Sequence, residues 1–158
     1  MLALSSEILI QGVYTAAVNI IGLLTVNTCG ILVTLYNNPN QEIVRKLKSF
    51  DIEQKIRLIR SVLYTKNIKL DINKNISDTM LGKKTYKMDP LDICINSLIQ
   101  SIQNVHTDLI NIQKEIESHN NKWFYKLRMI NLDPLYDSLQ TNMNILDKRF
   151  SDFLIITI

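Results

Sequence analysis

The chain has 158 residues, with 18 Lys and Arg against 15 Asp and Glu, and 46% of it is hydrophobic. That length fits one domain, or an anchor with a small domain, and four Gly with three Pro are too few for a turn-rich β fold. Two cysteines, Cys29 and Cys94, sit in separate segments without a partner motif, which argues against a disulfide scaffold and for buried free thiols.

The net charge of +3 conceals a segregation, since residues 42–87 carry +7 and residues 88–158 carry −3. Between Glu7 and Glu42 no residue is charged. As one helix, Ile8 to Tyr36 would run about 43 Å, beyond the ~30 Å of a hydrocarbon core. No basic start precedes it and no A-x-A site ends it, so a cleaved signal peptide is not expected. Residues 1–37 are therefore read as an apolar anchor helix that crosses a membrane, with Tyr14 and Tyr36 near the headgroup layers. Arg45, Lys46 and Lys48 follow it and place the body on the cytoplasmic or equivalent side. The alternative is the central helix of a soluble bundle, a reading supported by Asn19 and Asn27 deep in the run. Projected at helical spacing, Gln11, Thr15, Asn19, Gly22, Val26 and Cys29 form a small and polar stripe suited to the approach of a second helix.

Residues 38–66 read as short basic amphipathic helices. Asn38-Pro39 supplies a cap and first helical residue, and Asp51 with Gln54 resembles a capping box. Ile43, Leu47 and Phe50, then Ile52, Ile56, Ile59 and Leu63, recur at helical spacing. The other face carries Lys55, Arg57 and Arg60, which with Arg45, Lys46 and Lys48 form either a solvated surface or a contact for anionic lipid headgroups. A nucleic-acid-binding module over residues 45–69 ranks third, for want of interleaved aromatic residues. Residues 67–88 are read as an irregular basic linker; the alternation of Ile68, Leu70 and Ile72 leaves a short strand as its alternative.

Residues 89–158 predict an antiparallel, coiled-coil-like helical hairpin. Asp89-Pro90 and Asp133-Pro134 each start a helix. Leu91, Ile95, Leu98, Ile102, Val105, Leu109, Ile112, Ile116, His119 and Trp123 step by three and four, as do Tyr136, Leu139, Met143, Leu146, Phe150 and Phe153. The expectation is that Leu109, Ile112 and Ile116 face Leu139, Met143 and Leu146. At the turn, Trp123, Phe124, Tyr125 and Arg128 form either the closure of the core or a knob for a partner.

No phosphate loop, metal-ligand spacing or nucleophile elbow is present in the sequence. His106 and His119 are nearly 20 Å apart by the ~1.5 Å helical rise, too far to share a metal ion. Neither an enzyme nor a cofactor is expected.

QKEIESHNNKWFYKLR and NILDKRFSDFL, within residues 113–154, resemble the helical carboxyl-terminal pattern of short structural proteins from large eukaryotic DNA viruses. The resemblance implies a virion component, such as a minor capsid or inner-membrane-associated protein whose partners are other structural proteins. The chain as a whole thus predicts an all-α, membrane-anchored scaffolding protein at an inner membrane–capsid interface. A soluble bundle that binds a partner helix, similar in architecture to apoptosis regulators, is the alternative.

Overall fold

A computed structural model describes residues 4–74, 90–122, 126 and 128–158. These residues form five helices: α1 (Leu4–Tyr36), α2 (Gln41–Lys48), α3 (Ile52–Lys74), α4 (Pro90–Asn120) and α5 (Asp133–Ile156). The all-helical class follows from the sequence's three–four spacing, and no strand occurs among the described residues.

Helix α1 runs antiparallel to α3. Gly22 faces the Arg60 guanidinium, Cys29 lies beside Arg57, and the Tyr36 ring sits 5.5 Å beneath the Lys48 ammonium. It runs parallel to α4, where Thr28 meets His106 and Thr34 flanks the same depression as Gln113. Helices α4 and α5 form the antiparallel hairpin, and α5 lies alongside α3 through Lys55–Asp147 and a bond from Lys66 Nζ to the Thr157 carbonyl. The four long helices therefore enclose one core, which α2 closes at one end with Ile43, Val44 and Leu47 buried.

Apolar residues of α1 belong to that core. Ala17, Ile21, Leu32 and Leu35 share a cluster with Ile56 and Leu63 of α3, Ile102 and Leu109 of α4 and Leu139 and Phe153 of α5. The expected division into an anchor and a separate body is not how the molecule is built. Nor is the small and polar stripe the contact stripe: Thr15, Asn19 and Val26 are exposed, while Ala17, Ile21, Thr25, Thr28, Leu32 and Leu35 are buried. The physical reason is that full burial of a Leu or Ile contributes about 1.5–3 kcal/mol. The two buried threonines are satisfied, Thr25 by the Ile21 carbonyl at 2.7 Å and Thr28 by His106.

Several helix ends differ from expectation. The cap of α2 is Asn40, whose Oδ1 accepts from the Glu42 amide at 3.0 Å, so Pro39 precedes the helix. Between α2 and α3, Asp51 takes φ 52°, a left-handed conformation that Asp tolerates better than most residues. Helix α5 starts at Asp133 itself, with Leu132 at the cap position and Asn131 Oδ1 accepting from the Asp133 amide at 3.1 Å. Helix α3 continues to Lys74, so the first eight residues of the expected linker are helical. No Gly or Pro interrupts it there, and backbone bonds already propagating need no new nucleus. The remainder of the linker, 75–88, lies outside the described residues.

A polar contact that the apolar periodicity does not contain marks the hairpin register. Asp108 is 5% exposed and accepts from the Ser138 hydroxyl at 2.9 Å and the Asn142 amide at 2.6 Å. Counting away from that contact in opposite directions puts Leu109 level with Leu139, Val105 with Met143, Ile102 with Leu146 and Ile95 with Phe153. All eight are buried, whereas Phe150 is only half-buried. Of the two expected trios, only Leu109 and Leu139 come level in this register. Ile112 and Ile116 fall instead level with Tyr136 and Leu132, because the shared start of the register is Asp108 rather than the turn.

Candidate interaction surfaces

Two surfaces stand out among the described residues once the core is accounted for. The first is the outer side of α1. Asn19, Ile20, Leu23, Val26, Asn27, Gly30, Val33 and Thr34 are exposed, and none is charged. Leu23 is 64% exposed and Val26 61%, large values for apolar side chains on a folded bundle. Thr15–Tyr36 is long and apolar enough to cross a membrane, and most of this apolar stretch is left unburied by the rest of the chain. Such a contiguous uncharged face marks a contact surface.

The rims of this face are polar. On the α3 side stand Arg60, whose guanidinium Nε would lie 3.7 Å from a Cβ at Gly22, and Arg57, which pairs with Glu53 at 2.8 Å. On the α4 side a shallow depression is lined by Val26, Asn27, Gly30, Thr34, His106 and Gln113. Burial lowers the His106 pKa below its ordinary value, and its Nδ1 lies 3.2 Å from the Thr28 hydroxyl. Asn19 and Asn27 thus lie on the outer side of α1. Gly22 sits at the α3 border, Tyr36 lies half-buried under Lys48, and the Tyr14 side chain lies outside the described residues.

The second surface is a cavity of about 1000 Å³ at the end of the bundle where α1 gives way to α2 and α4 turns toward α5. Arg45, Lys46, Lys126 and Arg128 line it against the carboxylates of Glu42 and Asp133. Lys46 reaches over two aromatic rings, 5.7 Å from the centroid of Phe50 and 5.9 Å from that of Tyr136. Burial, with Asp133 and Glu42 nearby, pushes the Tyr136 hydroxyl up to about 12.

The six basic residues singled out in the sequence do not form one face. Arg45 and Lys46 line the end cavity and Lys48 covers Tyr36. Lys55 and Arg57 are held in ion pairs with Asp147 and Glu53, and Arg60 borders α1. Of the suggested knob, Arg128 is exposed on the cavity wall, and Trp123, Phe124 and Tyr125 lie outside the described residues. Sequence reasoning missed Tyr136 as anything but a seam residue, and missed Asp108 altogether. Cys29 and Cys94 are free and half-buried. No group of three metal-ligating side chains occurs among the described residues.

A protein of Acanthamoeba polyphaga mimivirus, Uncharacterized protein L717, is 33% identical to this chain over 159 residues. The match covers 93% of the chain and 77% of that protein. No protein-family profile and no solved structure matches.

Proposed function

The chain belongs to one family with the mimivirus protein L717, and we propose that it is a structural protein of a large DNA virus, attached to a membrane through α1 and docking to other structural proteins through its helical body. The observation that carries this reading is the outer side of α1, an uncharged face beside Arg57 and Arg60. Apolar side chains enter the acyl boundary while basic residues at the rim meet anionic headgroups, each contributing about 1 kcal/mol near such a surface.

The packing favours attachment by this face over insertion of the whole bundle. An arginine carried to the bilayer centre costs at least about 2.5–3.5 kcal/mol, and α3 would bring Arg57 and Arg60 in beside α1. Within the virion, the proposed place is the interface between inner membrane and shell, with the protein acting as a minor capsid or membrane-associated component and not as a catalyst.

A second reading is favoured by the buried stripe of α1. Ala17, Ile21, Leu32 and Leu35 inside the core suit a soluble bundle whose exposed α1 face receives a partner helix. Flotation of the full chain with vesicles of phosphatidylcholine and the anionic phosphatidylserine, followed by alkaline carbonate extraction, separates the two. Membrane attachment requires the protein to float. Retention after carbonate would mean that α1 leaves α3 and crosses the bilayer, and release would mean that it lies on the surface. A detergent-free monomer that stays at the bottom of the gradient would overturn the membrane reading in favour of the partner-helix bundle.

A further inference from the structure

The two borders of the exposed α1 face are unlike in charge. On the α3 border, Arg57, Arg60 and Tyr64 follow at steps of three and four, so they share one side of that helix. Arg60 over Gly22 and Arg57 beside Cys29 fix that side toward α1, whereas Lys55 and Lys66 reach from the other side to α5. The same border continues at the end of α1 in Lys48, which covers Tyr36 close to Asp51 and Glu53. Arg57 is paired with Glu53, but neither Arg60 nor Lys48 has a carboxylate partner among the described residues. Tyr64 is 58% exposed, a high value for an aromatic side chain.

On the α4 border, Gln103, His106, Ile110, Gln113 and Glu117 also step by three and four. His106 meets Thr28, and Gln113 shares a depression with Asn27 and Thr34, so this row is the one turned toward α1. Its one full charge is negative, on Glu117, which accepts from Gln113 Nε2 at 2.8 Å. His106 is neutral near pH 7, because burial lowers its pKa. An anionic bilayer therefore attracts the α3 border and repels the α4 border. A tyrosine ring, apolar with a polar tip, is favoured at headgroup depth, and only the α3 row carries an exposed one. The uncharged face between the borders has no such preference, so the charges decide how it is tilted.

We propose that α3 is the second membrane-contacting helix: the chain rests on an anionic bilayer with α1 lying in the surface and rolled toward α3, so that Lys48, Arg60 and Tyr64 meet the headgroups and the α4 border stays in water. This orientation rests on the membrane reading above and gives it a direction. The occupant of the combined α1–α3 surface is a bilayer that carries anionic lipid, selected by the two basic side chains that no carboxylate neutralises. The α4–α5 hairpin then stands on the aqueous side, clear of lipid and open to structural partners.

The test uses the full-length protein and phosphatidylcholine vesicles with and without phosphatidylserine. Flotation should be stronger with phosphatidylserine. Arg60→Gln and Lys48→Gln should each weaken that attachment about fivefold, the equivalent of ~1 kcal/mol per basic residue. Tyr64→Ala should weaken attachment to both kinds of vesicle, and Glu117→Gln should change it by less than about twofold. Depth is read with a bimane label attached through Ser61→Cys on α3 or Gln103→Cys on α4, both exposed positions, in a Cys29→Ala, Cys94→Ala background. A nitroxide on the lipid headgroup should quench the label on α3 and spare the one on α4. If the cysteine-free background fails to fold, the flotation variants decide by themselves. Equal quenching on the two helices would overturn the roll and leave attachment through α1 standing. Wild-type flotation in both Arg60→Gln and Tyr64→Ala would do the same. Absence of flotation with either kind of vesicle would overturn the membrane reading and the orientation with it.

Discussion

Thr28 and His106 meet at 3.2 Å between α1 and α4, hydroxyl against Nδ1, across 78 residues of sequence. The imidazole is partly withdrawn from water, which lowers its pKa in the folded chain from the ordinary 6.5. On acidification the unfolded chain takes up this proton first, so it binds more protons than the folded one and stability falls with pH. The urea midpoint should be flat above about pH 7 and decline between about pH 6.5 and 5, before the bulk of the carboxylates titrate. His106→Gln should flatten that decline; the same slope in the variant would assign it to other groups.

Asp108 is the second polar fastening. Asp108→Ala would strand the Ser138 hydroxyl and the Asn142 amide inside the hairpin, at a cost of about 1–3 kcal/mol for each group left unsatisfied. Asp137→Ala, exposed on the same pair of helices, should stay within about 0.5 kcal/mol. Urea denaturation of the two variants decides. Equal small losses would mean that water replaces both bonds and that Asp108 does not peg the register.

Leu109→Ala and Leu139→Ala should each cost about 2–5 kcal/mol, because both side chains are fully buried at the same level of the hairpin. Glu117→Ala and Lys148→Ala, both exposed, should cost at most about 0.5 kcal/mol. If Leu109→Ala and Leu139→Ala are combined, their losses should fall short of additivity, since neighbours share one cavity. Strict additivity would place the two residues out of contact and shift the register.

The two sides of α1 should respond oppositely to a charge. Leu23→Glu or Val26→Glu on the outer side should abolish flotation with vesicles while the helical circular dichroism and melting midpoint stay near wild type. Leu32→Glu, in the buried stripe, should unfold the chain by placing an unpaired carboxylate in the core. Retained flotation in Leu23→Glu would show that this face is not the membrane contact.

These residues also mark where sequence reasoning stopped. The hairpin was legible because Ile95 through Ile116 and Tyr136 through Phe153 repeat at a spacing that only a helix presents on one side. The side of α1 that enters the core was not legible, since a helix apolar all round carries no directional signal, and polar residues drew attention to the wrong stripe. Asp108 was hidden for a different reason. One residue before a seam leucine, a carboxylate reads as solvent-facing until Ser138 and Asn142 are brought against it. Its spacing of three from Val105 and four from Ile112 was the available clue. The end cavity had no local signature at all, because Arg45, Arg128 and Tyr136 come together only when α2 covers the end of the finished hairpin.

The long sequence separation between Thr28 and His106 governs the order in which the chain can fold as it is made. At about 5–20 residues per second, a ribosome takes roughly 4–16 s to synthesise the 78 residues between them. Throughout that interval the most apolar helix of the protein has emerged without the helix that covers its Thr28 side. Helices α4 and α5 face no such delay, since Asp108 finds Ser138 only 30 residues on. Nascent α1 is thus the segment most exposed to capture, by a chaperone or by a nearby bilayer, during that interval.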